Sequence, residues 1–317
     1  MAESPRSKAR RKRRAWLERL GLLLLAALLV FSATPTGQWA WQRLYTSGFR
    51  GPAEEAPLEL HFIDVGKADA ILLQCQGKTA LLDAGTWASG SRVVDYLHRM
   101  GVGRLDYIIA SHPDSDHIGG LAQVLEEIPA ESLVIYPWPE EMRQSEEFRQ
   151  LEEAAFSKQV PVLEVEAGDE LPFGETYLQI LGPLKVYEET NDCSLVVRLE
   201  YEAFSALFCG DIENAAELDL VKSGADLDAD LLKVAHHGSA GSSSERFLEA
   251  VSPVYAVISV GPDNSQLPRE ETLRRLEEVG AAIYRTDTDG DLVFSWDGEQ
   301  LSLWSEYHNQ LERTEYP

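Results

Sequence analysis

Cysteine is scarce in this sequence. Cys75, Cys193 and Cys209 are the three cysteines among 317 residues, and no two of them form a C-x-x-C pair. An odd number of cysteines without paired spacing excludes a disulfide framework. Cys75 and Cys209 lie in apolar, strand-like segments, which predicts buried thiols. The role of Cys193 stays open, because it adjoins candidate ligand residues at 191–194.

Long apolar runs are also lacking. The run at 20–33, LGLLLLAALLVFSA, has fourteen residues, fewer than the roughly 20 that a membrane-spanning helix needs. It follows a basic stretch, so we predict a cytoplasmic tail at 1–14, a membrane anchor or signal peptide at 15–34 and a juxtamembrane linker at 35–57. The bulky Phe31 favours an uncleaved anchor. Either outcome exports the rest of the chain, as the extracellular domain of a single-pass membrane protein or in secreted form.

The N-terminus carries a net positive charge, whereas the rest of the chain is strongly acidic. Residues 1–19 carry eight lysine and arginine residues against two glutamates, a charge of +6, so the rest of the chain carries −31 within a net charge of −25. A body this acidic repels a long polyanion unless metal ions mask its charge. We therefore expect no stable binding of duplex DNA. A single phosphodiester entering a metal pocket remains compatible with this charge.

Beyond the linker, the sequence lacks proline- or serine-rich spacers and repeats with a period of 20–50 residues. Strand-like runs at 58–65, 69–75 and 79–83 predict an antiparallel sheet, and helices then alternate with strands. Two successive β-then-α halves predict an α/β fold in the form of a four-layer αββα sandwich. We therefore predict a single domain at 58–305 and a polar tail at 306–317.

One of the predicted helices follows Pro139 and is acidic and amphipathic. Its apolar residues recur at helical spacing. Phe148, Leu151, Ala155 and Phe156 are therefore expected to face the interior.

The densest chemical signal is a histidine and aspartate cluster that directly follows an apolar strand. His112, Asp114, Asp116 and His117 are four metal-capable side chains within six residues. Asp116 could instead cap the following helix, and Asp114 could be a turn residue. That alternative leaves both histidines without a role, so we predict that the cluster binds metal.

Three later segments supply further candidate ligands. Asp211 closes an apolar strand beside Gly210, and His236 and His237 follow another strand. Adjacent residues after a strand are expected to point to opposite sides, so we predict that one histidine ligates. We favour His237, because the following glycine frees its approach, and His236 is the alternative. The polar residues Asn191, Asp192 and Ser194 precede a third strand.

The order of these motifs resembles that of the metallo-β-lactamase superfamily, once Asp83 in TALLDAG is included. More narrowly, IDVGKADAILL, SHPDSDHIGG, LLKVAHHGS and VISVGPDN resemble the extracellular hydrolase domain of ComEC-type competence proteins. The resemblance covers about 58–305. It implies a metallohydrolase of the phosphodiesterase or nuclease type with two divalent metal ions, Zn²⁺ or Mn²⁺. Asp83 would orient a ligand, and the substrate region would contain Asn191, Asp192, Ser194, Ser239 and Asn264.

The implied mechanism uses a hydroxide shared by two metals. His112, Asp114 and one of His236 and His237 are expected to hold one metal, and Asp116, His117 and a bridging Asp211 the other. Asp116 and Asp211 are the residues expected to contribute most directly to catalysis. The substrate is a phosphodiester, in nucleic acid or a surface polymer.

Two departures from the family pattern keep other functions open. Ala68 stands where the family usually has a second glycine, and Leu267 where it usually has a histidine before Pro268. Phosphorylcholine esterases of the same superfamily are the second resemblance, and a catalytically inactive binding module on the cell surface is the third alternative. Asp114 disfavours β-lactam hydrolysis. The sequence makes no prediction of the oligomeric state.

Overall fold

Sixteen strands form the framework in a computed structural model, which describes residues 56–262, 266–308 and 310–314. The strands are β1 (Leu58–Phe62), β2 (Ala70–Cys75), β3 (Lys78–Ala84), β4 (Leu105–Ile109), β5 (Ala130–Ile135), β6 (Val162–Glu164), β7 (Glu170–Phe173), β8 (Thr176–Gly182), β9 (Val196–Tyr201), β10 (Phe204–Phe208), β11 (Leu231–Lys233), β12 (Tyr255–Ile258), β13 (Ala282–Arg285), β14 (Leu292–Trp296), β15 (Leu301–Ser305) and β16 (Gln310–Thr314).

The described helices mostly follow the parallel strands. They are α1 (Gly90–Arg99), α2 (Ser115–Ile118), α3 (Leu121–Glu127), α4 (Glu146–Ser157), α5 (Asn214–Ser223), α6 (Glu245–Val251), α7 (Glu270–Glu278) and α8 (Thr286–Asp289). Short 3₁₀ turns lie at Trp87–Ser89, Glu140–Arg143, Asn191–Cys193 and Ala235–Gly238.

The strands form two sheets, each antiparallel in one part and parallel in the other. The first has the order β16-β15-β14-β1-β2-β3-β4-β5-β6, and the second β13-β12-β11-β10-β9-β8-β7. In the first sheet, pairing becomes parallel between β3 and β4. In the second, it becomes parallel between β10 and β11. The predicted mixed α/β fold with two sheets and helices is therefore confirmed.

Aromatic side chains connect the two sheets. Phe62 on β1 stacks on Phe208 of β10, with ring centroids 6.3 Å apart. Phe204 stacks on Trp296 at 5.9 Å, and all four side chains are buried. Offset aromatic pairs at such distances add to the free energy of hydrophobic burial. The core between the sheets therefore fixes the two halves against each other.

The structure adds elements that the sequence did not predict. One is β7, which the sequence pattern does not predict because Pro172 weakens the strand signal. β7 is an edge strand, where proline is tolerated. The other is β16, which lies in the predicted polar tail at 306–317 and pairs with β15 through its backbone. Its polar side chains gave no strand signal because backbone hydrogen bonds do not need an apolar face.

The inward position predicted for Phe156 on α4 is wrong. Phe148, Leu151 and Ala155 are buried, whereas 87% of Phe156 is exposed. Ala154 takes the fourth buried position. One residue corresponds to about 100° of helix rotation, which turns Phe156 away from the face that its neighbour buries.

The predicted basic tail, anchor and most of the linker lie outside the described residues, so they stay predictions. Across 56–262, 266–308 and 310–314, the structure has no helix that is both long and apolar enough to span a membrane.

A buried carboxylate connects α1 to the loop after β1. The Asp291 side chain is fully buried; its Oδ1 lies 2.7 Å from Arg92 Nη2 and accepts a hydrogen bond from Asp64 N at 2.8 Å. Burial raises the pKa of Asp291 from 3.8 to about 6, although Arg92 opposes the shift. The folded protein therefore retains this proton in a pH range where the unfolded chain has lost it.

This shift predicts a pH-dependent loss of stability. As pH rises from 4 to 6, Asp291 loses its proton in the unfolded chain before it does so in the folded protein, which favours the unfolded chain. The free energy of unfolding should therefore fall by about 2–3 kcal/mol because of this group. Asp291→Asn should remove that part of the pH dependence. Urea unfolding of both proteins at pH 4 and pH 7 measures the difference. Identical pH dependence in the two proteins would contradict the assignment.

Candidate metal centre

The candidate ligands lie in loops at the ends of parallel strands. Asp83 is near the end of β3, and His112 follows β4 in the first sheet. Asp211 follows β10, and His237 follows β11 in the second sheet. The carboxyl ends of parallel strands meet at one edge of a sheet. This topology explains how residues more than 100 positions apart come together.

Asp83 fixes the segment that contains His112 and His117 through hydrogen bonds to Ser111 and His117. Its Oδ1 accepts a hydrogen bond from Ser111 N at 2.8 Å, and its Oδ2 accepts one from Ser111 Oγ at 2.6 Å. The same Oδ2 lies 2.8 Å from His117 Nδ1. All three residues are buried. Because a carboxylate accepts, the contact with Asp83 holds a proton on Nδ1, which leaves Nε2 as the nitrogen that can bind a cation.

Two other buried histidines at the site, His112 and His237, also direct Nδ1 toward an oxygen acceptor. His112 Nδ1 lies 3.0 Å from Ser111 Oγ, and His237 Nδ1 lies 2.9 Å from the carbonyl oxygen of Ser259. Within the described chain, the Nε2 atoms of His112, His117 and His237 are buried and have no hydrogen-bond partner. Buried polar atoms are nearly always partnered. Three such atoms in one site therefore fit a bound cation.

Carboxylates complete two overlapping groups of donors. His112, His117 and Asp211 form one group, and Asp116, His117 and His237 form the other, with all donor atoms of a group within 4.8 Å of one another. His117 Nε2 lies 3.2 Å from Asp211 Oδ1. This grouping differs from the division expected from the sequence, because α2 brings His117 back beside His112, with ring centroids 4.1 Å apart.

Asp114 lies outside both groups. Its Oδ2 is 3.9 Å from His112 Nε2, and 44% of its side chain is exposed. Partial burial, together with the charge of Asp116, raises the pKa of Asp114. Asp114 directly precedes α2 in extended backbone, which turns its side chain toward solvent.

His236 and His237 occupy a tight turn, so the alternation expected after a strand does not apply. Both residues have a left-handed backbone, with φ of 48° and 51°. His237 is buried and belongs to a donor group. His236 lies outside both groups, with Nδ1 2.9 Å from Glu213 Oε1 and Nε2 3.9 Å from Asp211 Oδ2.

Glycines allow two close approaches at the site. Gly210 has φ of 51°, and a Cβ there would lie 2.8 Å from Ser194 Cβ. Gly120 has ordinary helical angles, but a Cβ would collide with the carbonyl oxygen of Ala84. Gly120 therefore serves the packing of α3 against β3, whereas Gly210 brings the Asp211 loop against its neighbour.

The carboxylates of the site are ionised, and its imidazoles differ in charge. Asp211 and Asp83 outweigh burial and raise the pKa of His117 well above its usual range. Burial, followed by the charge of His117, lowers the pKa of His112 to about 3. Burial would raise the pKa of Asp211, but His117 and His237 outweigh it and hold that pKa well below its usual range. The pKa of Asp116 is also lowered against the effect of burial, by His237, His117 and Lys67.

The predicted substrate-region residues have mainly structural contacts. Ser194 Oγ accepts a hydrogen bond from Asp211 N at 3.1 Å and donates one to the carbonyl oxygen of Asn191 at 2.6 Å. Asp192 Oδ1 accepts from Glu213 N at 2.7 Å, next to the start of α5. Ser239 accepts from Gly241 N within its turn.

The predicted substrate region also includes Asn191 and Asn264. Asn191 also lies beside the site, with Nδ2 3.4 Å from His236 Nδ1. Asn264 lies outside the described residues.

Sequence reasoning missed two lysines, one that contacts a candidate ligand and one that contacts its buried neighbour Asp69. Lys67 Nζ lies 2.6 Å from Asp116 Oδ2 at the rim of the site. Lys233 is fully buried, with Nζ 2.7 Å from Asp69 Oδ2, and Asp69 Oδ1 lies 3.6 Å from His237 Nδ1. A lysine inside the apolar strand LLK was the available signal, because a buried lysine needs a partner.

Breaking the buried Asp69–Lys233 pair should destabilise the fold. Lys233→Met leaves the Asp69 carboxylate uncompensated, so the free energy of unfolding should fall by about 3–5 kcal/mol. Urea unfolding in the presence of a chelator measures this change. Arg274→Met, which breaks an exposed pair with Glu278 on α7, is the matched control, with an expected loss of about 0.5 kcal/mol. Equal losses would refute the assignment.

The model of the metallo-beta-lactamase superfamily matches residues 63–261 of the chain. The chain belongs to the metallo-beta-lactamase superfamily. The match includes all the donor residues of both groups. A possible metal site in a superfamily of metallohydrolases therefore rests on both sequence and geometry.

Curated relatives confirm the narrower resemblance to ComEC-type competence proteins. The chain is 29% identical to ComE operon protein 3 of Bacillus subtilis over 75% of its length, and 32% identical to Competence protein ComA of Neisseria gonorrhoeae over 87%. It is 29% identical to Recombination protein 2 of Haemophilus influenzae over 76%. The matches cover 33%, 38% and 29% of those proteins, so the chain spans about a third of their length.

Solved structures share the fold at low sequence identity. One is the CmlA beta-hydroxylase E377D mutant, with a TM-score of 0.52 and 14% identity over 84% of this chain and 61% of that chain. Another is Igni18, a metallo hydrolase from Ignicoccus hospitalis, with a TM-score of 0.51 and 11% identity over 75% and 99%. At these identities the likeness concerns the fold alone.

Proposed function

We propose that this chain is a metal-dependent phosphodiester hydrolase of the nuclease or phosphodiesterase type. The observation that carries the proposal is the convergence of three buried imidazole Nε2 atoms with the carboxylate of Asp211. Imidazole and carboxylate are donors for both Zn²⁺ and Mn²⁺. A purely structural polar cluster would have partnered those atoms with hydrogen-bond donors and acceptors from the protein.

Two divalent cations are the proposed cofactors. His112, His117 and Asp211 would hold one, and Asp116 and His237 supply the donors for a second. When bound, such cations polarise a phosphoryl oxygen and lower the pKa of water toward neutrality. Asp211 has its second oxygen, Oδ2, 3.7 Å from His237 Nε2. It is therefore the carboxylate that can serve both donor groups.

The neighbouring residues prepare the donors for this role. Asp83 holds the proton of His117 on Nδ1, and the Ser259 carbonyl oxygen holds that of His237 on Nδ1. Lys67 stays protonated, because Asp116 raises its pKa against the effect of burial. Its side chain is 36% exposed, so its ammonium group would contact a non-bridging phosphoryl oxygen at the rim.

Nucleic acid is the proposed substrate, because three relatives carry names of competence or recombination proteins. The −31 charge outside residues 1–19 opposes binding along a duplex. We therefore propose cleavage of single strands, whose flexible backbone can bring one phosphodiester into the site. The same acidity favours the second candidate, an esterase acting on phosphorylcholine of surface polymers.

A substrate comparison tests the proposal. The chelated chain receives Mn²⁺ or Zn²⁺ and is incubated with a single-stranded oligonucleotide, the matching duplex and p-nitrophenyl phosphorylcholine. We expect nucleotide release from the single strand, and its loss in Asp116→Ala. Turnover of the phosphorylcholine ester alone would select the esterase. Bound metal without turnover of any substrate would select a binding module.

A further inference from the structure

A cavity of about 540 Å³ lies beside the donor groups. Four segments line it: the loop after β1 with Asp64 and Gly66, the segment from Thr86 into α1 with Arg92, Pro262 after β12, and the residues after β15, Glu306 and Tyr307. Its volume lies in the range of small-molecule sites. The proposed mechanism does not use any of these residues.

The cavity and the donor groups share one loop. Gly66 lines the cavity, and the next residue, Lys67, contacts Asp116. Thr86 also lines the cavity, and its neighbour Gly85 donates a backbone hydrogen bond to the carbonyl oxygen of Asp69 at 2.7 Å. If a phosphate binds at Lys67, a group attached to that phosphate can therefore lie in the adjacent cavity.

The charges of the lining disfavour a second phosphate. Asp64 and Glu306 are acidic, and Arg92, the one cation among the described lining residues, is already paired. Arg92 Nη2 lies 2.7 Å from Asp291 Oδ1, and Nε donates to the carbonyl oxygen of Asp64 at 2.5 Å. A further phosphate would meet carboxylates without a free guanidinium, so the cavity suits an uncharged group.

Tyr307 supplies a surface for a flat ring. Its hydroxyl donates to Asp64 Oδ2 at 3.1 Å, which fixes the ring at one end, and 57% of the residue is exposed. A fixed aromatic side chain with open surface is a platform on which bases stack with little regard to sequence. The carboxylates of Asp64 and Glu306, which also line the cavity, can accept hydrogen bonds from sugar hydroxyls.

We propose that this cavity binds the nucleoside attached to the scissile phosphate, with its base on Tyr307. The proposal rests on the phosphodiesterase function proposed above and narrows its substrate class to nucleotides. It also explains why the specificity of the site would not require a basic groove along the nucleic acid.

Two diesters with the same leaving group test the cavity. Thymidine 5′-(p-nitrophenyl phosphate) carries a nucleoside, and methyl p-nitrophenyl phosphate carries a methyl group in its place. Tyr307→Ala should raise KM for the nucleoside ester about tenfold, with kcat unchanged. Kinetics with the methyl ester should not change. Tyr177→Ala, which removes another half-exposed tyrosine on β8, should leave both esters unaffected.

Direct binding separates the cavity from the chemistry. Calorimetric titration with thymidine 5′-monophosphate should show about a tenfold higher Kd in Tyr307→Ala, whereas the Kd of inorganic phosphate should not change. An unchanged KM and Kd in Tyr307→Ala would overturn the nucleoside site while diester hydrolysis stands. A Tyr307 effect on p-nitrophenyl phosphorylcholine alone would also overturn it. Absence of hydrolysis of both esters would instead contradict the proposed function.

Discussion

Replacing Asp211 by asparagine is expected to lower kcat/KM for bis(p-nitrophenyl) phosphate about a thousandfold, because bound cations stabilise the transition state by several kcal/mol. Asp211 is the carboxylate that both donor groups can use, with oxygens 3.2 Å from His117 Nε2 and 3.7 Å from His237 Nε2. An amide keeps the shape of the side chain but removes its charge and one acceptor oxygen.

The measurement is steady-state hydrolysis by the purified chain with saturating Mn²⁺ or Zn²⁺. Asp219→Asn is the matched control, because this aspartate on α5 pairs with Lys185 at the surface. It should retain wild-type activity. If Asp211→Asn retains activity within tenfold of the wild type, Asp211 does not hold the cations.

Replacing Asp83 by asparagine is expected to weaken metal binding about 10–100-fold, which is the usual effect of removing a residue that orients a ligand. Asp83 is not one of the residues proposed to hold a cation. It accepts hydrogen bonds from Ser111 and fixes the tautomer and orientation of His117. An amide in its place can turn its NH₂ group toward Nδ1, which then favours the tautomer with the proton on Nε2.

Competition with a chromophoric chelator measures the metal affinity of both proteins. Asp106→Asn on the neighbouring strand β4 is the control, because Asp106 accepts from Thr79 N and contacts Lys78, at the other end of β3 from Asp83. Its metal affinity should equal that of the wild type. Unchanged affinity in Asp83→Asn would show that His117 keeps its orientation without this carboxylate.

The local part of the site could be predicted from the sequence. His112, Asp116 and His117 stand within six residues after an apolar strand, so their proximity needs no knowledge of the fold. The order of the later motifs, with Asp211 and His237 at strand ends, gave the family. Their meeting with the first cluster follows from the parallel parts of the two sheets.

The division of donors and the long-range partners could not be predicted. The backbone of α2 returns His117 to His112 and leaves Asp114 exposed, which depends on helix geometry rather than on spacing. Lys233 is 164 positions from its partner Asp69, and no local pattern encodes that pairing. Both sets of contacts need the sheets to be assembled first.

Local sequence patterns also do not predict the cavity at Tyr307 or the strands β7 and β16. The sequence around Tyr307 predicts a polar tail, because few apolar residues surround it, yet its hydroxyl contacts Asp64, 243 positions earlier in the chain. β7 and β16 are edge strands, where proline and polar side chains are compatible with pairing on one side. Hydrophobic periodicity identifies interior strands better than edge strands.

A metal titration of activity tests the central claim most directly. The chelated chain is titrated with Mn²⁺ or Zn²⁺ while the initial rate of bis(p-nitrophenyl) phosphate hydrolysis and the bound metal are recorded. We expect no hydrolysis without metal and a rate that saturates as about two equivalents bind. Hydrolysis that is independent of added metal, or a chain that binds less than one equivalent, would contradict it.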